Sequence, residues 1–138
     1  MNLAIMNELL HSLWSVGLVL ISLAIGLIGL AMDIHIACSR NFQVMLTALE
    51  KSSAAVRWIQ IWGTRNLISR TMVATAMAGA IARPRYFLVR GLLDAEEVAK
   101  FPEYLRRRMK ISAFLTTVGF VVFMTMGLLR KITEIWMQ

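Results

Sequence analysis

Few side chains in this sequence could do chemistry, and the two histidines, His11 and His35, come first. Paired imidazoles on membrane helices can serve as axial ligands to haem. These two lie 24 positions apart, about 36 Å along a continuous helix, so one chain cannot bring both to a single iron. A haem-binding redox subunit would need its second ligand from another chain, and interfacial hydrogen bonding is the plainer role. Asp33, His35 and Cys38 fall within six residues of one another. No second Cys/His pair follows, so the spacing is not a zinc signature. Asp33 is the candidate pore-lining or proton-carrying group. A carboxylate at the end of an apolar helix either reaches head-group water or pairs with a cation such as Arg106 or Arg107. The structural role is preferred, because acids imply transport when they lie deep in the bilayer.

The rest of the inventory is sparse. Cys38 is the single cysteine, which rules out an intrachain disulfide framework. Ten methionines are scattered, with Met72, Met77, Met124 and Met126 in apolar stretches, where they read as packing or lipid-facing bulk rather than soft-metal ligands. No nucleophile with a base and an orienting acid can be assembled, and no phosphate-cradling glycine loop or HExxH site occurs. The sequence therefore predicts a protein that is not an enzyme, with no cofactor and no metal.

Composition explains what the elements must be. The 138 residues are 58% hydrophobic and 17% charged, against about 45–50% and about 25% in soluble domains; the mean hydropathy is +0.65. So short a chain cannot hide that much apolar surface within itself. Between Glu8 and Asp33 run 24 uncharged residues, Leu9 to Met32, about 36 Å of helix against a hydrocarbon core of about 30 Å. The first transmembrane helix is assigned to 9–34. A cleaved signal peptide is disfavoured, because no Lys or Arg precedes the run and the run is too long. Ile111 to Leu129 supply 19 more uncharged residues, about 28 Å of helix, and the second transmembrane helix is assigned to 111–129. Basic residues flank it on both sides and Trp136 follows, as interface anchors do.

The region between, 35–110, reads as a basic, amphipathic helical middle. Its first part places Trp58 and Trp62 on an apolar side with Arg57 beside them, which suits an interfacial helix reaching anionic head groups. Gly63 is a candidate break. Thr71 to Ala82 is a further uncharged stretch, too short to span, whose Thr75/Gly79 and Ala76/Ala80 pairs permit close helix approach. Ser22 and Gly26, with Gly29 nearby, mark a similar face on the first span, and Ser112 with Thr116 a weaker one on the second. Beyond Arg83-Pro84-Arg85, Gly91 is a plausible helix stop, Asp94 with Glu97 a capping signal, and Pro102 the start of a fresh helix.

Of 15 basic residues, 13 lie between the two apolar runs. Two crossings keep them on one side, which the positive-inside rule makes cytoplasmic, with both termini outside. Three membrane-embedded helices, the alternative, would leave only Arg40, Lys51, Arg57 and Arg65 with the first group. Arg106, Arg107, Arg108 and Lys110 fix topology and can bind anionic lipid. The net charge of +7 does not point to nucleic acid, because acids dilute the basic residues and no recognition motif accompanies them. The expectation is an all-α integral membrane protein, in a bacterial inner membrane, acting without catalysis through helix–helix association. It would work as a homo-oligomer or as an accessory chain of a larger membrane complex. An oligomeric pore and a haem-binding subunit are the alternatives.

Overall fold

The computed structural model describes residues 2–137. They are all-helical, with seven helices in the order α1 (Leu3–Cys38), α2 (Asn41–Ala48), α3 (Ser53–Trp62), α4 (Leu67–Ala82), α5 (Pro84–Val89), α6 (Ala95–Lys100) and α7 (Glu103–Trp136), and no strand among the described residues. Two of them, α1 and α7, are long and apolar enough to cross a membrane. With 36 and 34 residues they measure about 54 and 51 Å, well beyond the apolar runs that identify them. Charge does not interrupt a helix: Glu8 at one end, and Arg106 to Lys110 at the other, continue the winding because their side chains are good helix formers. Pro102 sets the start of α7, since a proline disfavours helix at the residue before it and suits the entry to a new one.

The described residues form two compact units, one comprising α1 up to Leu27 with α7 from Leu115, the other spanning Ile28–Phe114. In the second unit a hydrophobic core is assembled from one stripe of each contributing helix. The last turns of α1 give Ile36 and Ala37, α2 gives Phe42 and Met45, α4 gives Val73, Ala74, Met77, Ala78, Ala80 and Ile81, and α7 gives Leu105 and Met109. The steps of three in α2 (Phe42 to Met45) and four in α7 (Leu105 to Met109), and the Val73, Ala74, Met77, Ala78, Ile81 run of α4, are those of a single helical face. α2 is an element the sequence reading does not assign. Its signal is present in Phe42, Met45 and Leu49, one apolar side over two turns.

Turn residues account for the breaks. Gly63 ends α3 with φ 74° and ψ −174° and Gly91 follows α5 with φ 67°, positive-φ conformations that glycine adopts readily and L side chains rarely do. The turn before α3 and the turn before α6 hold each other. Ser52, fully buried, donates from Oγ to Glu97 Oε2 at 2.6 Å and accepts from the Asp94 N–H at 3.1 Å. The other Glu97 oxygen accepts from the Lys51 N–H at 2.6 Å. Asp94 caps α6 by accepting from the Glu96 N–H at 3.1 Å. Glu97 therefore does not close a local capping box with Asp94; it satisfies the orphan groups of a segment 46 positions away. Arg70 secures the turn after α3, donating from Nε to the Thr64 carbonyl at 3.1 Å while its guanidinium lies 5.3 Å from the centre of the Phe42 ring.

The first unit is a crossing of two helices. A Cβ placed on Gly119 would lie 2.6 Å from Gly26 N, 2.7 Å from Gly26 Cα and 2.8 Å from the Ser22 carbonyl. Only backbone meets backbone there, and no side chain fits between. Elsewhere along these stretches large apolar side chains point outward, including Leu13, Trp14, Leu20, Phe120 and Leu128. Only 11% of each apolar window is buried.

Candidate functional site

The one buried carboxylate in the Ile28–Phe114 unit is Asp33, with no exposed surface. α1 presents it on the same face as Ile36 and Ala37, so the packing that buries those two also encloses the acid. Ser112 of α7 donates to Oδ1 at 2.6 Å and Thr75 of α4 donates to Oδ2 at 2.9 Å. Three helices, separated by 42 and 79 positions in sequence, are thus joined through one side chain. Neither arm of the sequence expectation describes it: Asp33 reaches no water and pairs with neither Arg106 nor Arg107. Its partners are hydroxyls, because α4 and α7 turn small residues toward α1 at this level while the arginines lie on other faces of α7. Both carboxylate oxygens are engaged, so the arrangement is a hydrogen-bonded junction of three helices.

The expected lipid-facing residues divide into two groups. Arg107, Arg108, Lys110, Arg57 and Trp62 are exposed. Arg106 is half-buried, and its guanidinium donates to the Val98 carbonyl at the end of α6. Trp58 is half-buried against the core. An arginine stem and an indole body can both cover apolar surface in this way; Arg106 Nε, by contrast, is buried with no partner among the described residues.

The small residues also divide. Ser22 is buried, its hydroxyl returned to the Val19 carbonyl at 2.8 Å, and Gly26 meets Gly119. Gly119 is absent from the sequence expectation, although a glycine inside an apolar run was signal enough to include it. Gly29 is buried. Ala80 is fully buried and Ala76 half-buried, while Gly79 is half-buried with open space where its Cβ would be. The stretch Thr71 to Ala82, whose small residues permit close helix approach, is covered within its own unit, where α4 packs against α3 and α5.

His11, His35 and Cys38 are all exposed. Among the described residues no three His, Cys, Asp or Glu side chains converge where they could hold a metal ion. In the first unit a cleft of about 650 Å³ opens between α1 and α7, lined by Ser12, Ser15, Val16 and Leu20 on one side and Met126, Leu129, Arg130 and Thr133 on the other. The Ser15 and Thr133 hydroxyls are returned to carbonyls of their own helices, at 2.8 Å each, and Arg130 pairs with Glu134 at 3.5 Å. Comparison with protein-family models, with curated proteins and with solved structures finds no match to this chain.

Proposed function

We propose that this chain is a small non-catalytic membrane subunit whose two long helices cross a bacterial inner membrane, with both termini outside and residues 35–110 on the cytoplasmic side. It acts through helix–helix association, with further copies of itself or as an accessory chain of a larger complex. The observation that carries this reading is the cleft between α1 and α7. At about 650 Å³ it lies in the range of ligand-sized sites, ~300–1,000 Å³, and in a bilayer it must be filled by an acyl chain or by the side chains of another helix. The apolar stretch Thr71 to Ala82 lends no support, being covered within the chain.

Association is tested by introducing single cysteines at Val16 and Met126 in a Cys38→Ser background and crosslinking in native membranes. The expected result is a crosslinked species of higher mass from both positions, absent when cysteine replaces Glu50 instead. A chain that yields only monomer in membranes, and that stays monomeric in mild detergent, removes the association reading.

A further inference from the structure

Between Glu50 and Asp94 the chain carries no acidic residue, while Lys51, Arg57, Arg65, Arg70, Arg83, Arg85 and Arg90 supply seven cations. Among the described residues the only ion pairs are Lys100 with Glu96 and Arg130 with Glu134, so none of these seven is neutralised by a carboxylate. Arg70 is committed to the Thr64 carbonyl and the Phe42 ring. Arg57 and Arg65 are exposed.

They flank a second anomaly. The turn joining α3 to α4 is sharp because Gly63 adopts a left-handed φ of 74°, and it carries large apolar side chains on both sides: Ile61 is 60% exposed, Trp62 45%, Leu67 50% and Ile68 73%. Other large apolar side chains of this unit are exposed too, Val89 at 87% and Phe114 at 68%; what sets this turn apart is four of them within eight residues, with Arg57 and Arg65 beside them. Exposed aliphatic and indole side chains at a turn, bracketed by unpaired arginines with no acid in the segment, match the chemistry of a membrane interface. Apolar tips enter the acyl boundary, the indole sits at head-group level, and the guanidinium groups meet phosphate. An acidic protein surface would satisfy the arginines and leave Ile61 and Ile68 uncovered.

We propose that the α3–α4 turn is a lipid-docking foot, in which Ile61, Trp62, Leu67 and Ile68 insert shallowly into an anionic bilayer surface and Arg57 and Arg65 bind its phosphates. The proposal rests on the reading that α1 and α7 cross a membrane. The docked surface is the bilayer that holds those helices, because covalent continuity keeps the turn at high effective concentration beside it.

The test uses the full chain in nanodiscs of phosphatidylcholine, alone or mixed with phosphatidylglycerol. Single-cysteine variants in a Cys38→Ser background carry a spin label read against oxygen and a water-soluble nickel chelate. Ile68→Cys is expected to be lipid-exposed in the anionic discs and aqueous in the neutral ones, with Glu50→Cys aqueous in both. Since each basic residue near an anionic surface is worth roughly a five-fold shift, Arg57→Gln with Arg65→Gln lowers the docked-to-free ratio roughly 30-fold in the anionic discs. Leu20→Cys, on α1, reports the spanning reading separately. Ile68→Cys aqueous in anionic discs while Leu20→Cys is lipid-exposed overturns the docking proposal alone. An Ile68→Cys label shielded from both reagents indicates a protein contact, and one equally lipid-exposed whatever the lipid charge leaves the arginines no role; either result overturns the proposal. An aqueous Leu20→Cys overturns the spanning reading and the proposal with it.

Discussion

At Asp33 a fully buried carboxylate accepts from Ser112 and Thr75, and the energetics of the site follow from what each substitution leaves unpaired. Asp33→Asn keeps a carbonyl acceptor and adds donors that either hydroxyl can accept by rotating, so it should leave the melting temperature in mild detergent nearly unchanged. Asp33→Leu roughly preserves volume, strips the Thr75 hydroxyl of its acceptor and leaves Ser112 only the Met109 carbonyl, at 3.2 Å. The expected loss is about 1–3 kcal/mol, the cost of stranding buried polar groups, read as a lower melting temperature. Equal stability of the two variants would show that the junction contributes nothing. Ser52 obeys the same reasoning. Ser52→Ala removes the acceptor of the Asp94 N–H and one donor to Glu97, and should destabilise by about 1–3 kcal/mol. Amide exchange at Asp94 should quicken more than at a distant helical amide such as Val121; uniform exchange would contradict the latch.

Among the helices, Gly119 makes the sharpest prediction. Its missing Cβ is what lets α7 touch the α1 backbone at Gly26 and Ser22. Gly119→Ala must push the two stretches apart, because the atoms it meets are backbone and have no rotamer to yield. The expected cost is about 1–3 kcal/mol, as for overpacking in a tight core. Gly127→Ala, with open space around the added carbon, should be neutral. A label-to-label distance between Val19 and Phe123 should lengthen in the first variant and not in the second, and no change in either would place the crossing elsewhere.

Much of the element map can be read from sequence because its signals are local. The two long apolar runs, Gly63, Gly91 and the Pro102–Glu103 start each act within a turn or two of themselves. What escapes is set by distance. The hydroxyl partners of Asp33 lie 42 and 79 positions away, and no pattern in α1 encodes them. The same holds for Glu97, whose spacing from Asp94 fits a capping box while its carboxylate serves Lys51 and Ser52. Small residues in Thr71 to Ala82 permit close packing, but composition cannot say whether the partner is another chain or, as here, neighbouring helices of the same one.

For the molecule as a whole, the proposal is that the apolar runs of α1 and α7 cross one bilayer and hold the 13 cations between those runs on a single side. The exposed apolar length of both helices and the gathering of most cations between the two apolar runs are what support this proposal. The direct measurement is labelling of single cysteines by an impermeant thiol reagent in right-side-out and inverted membrane vesicles. Cysteine replaces Asn2, Arg57, Lys100 or Met137 in a Cys38→Ser background. The account predicts that Arg57→Cys and Lys100→Cys react only in inverted vesicles, and Asn2→Cys and Met137→Cys only in right-side-out ones. Reaction of Arg57→Cys and Lys100→Cys from opposite sides would contradict it.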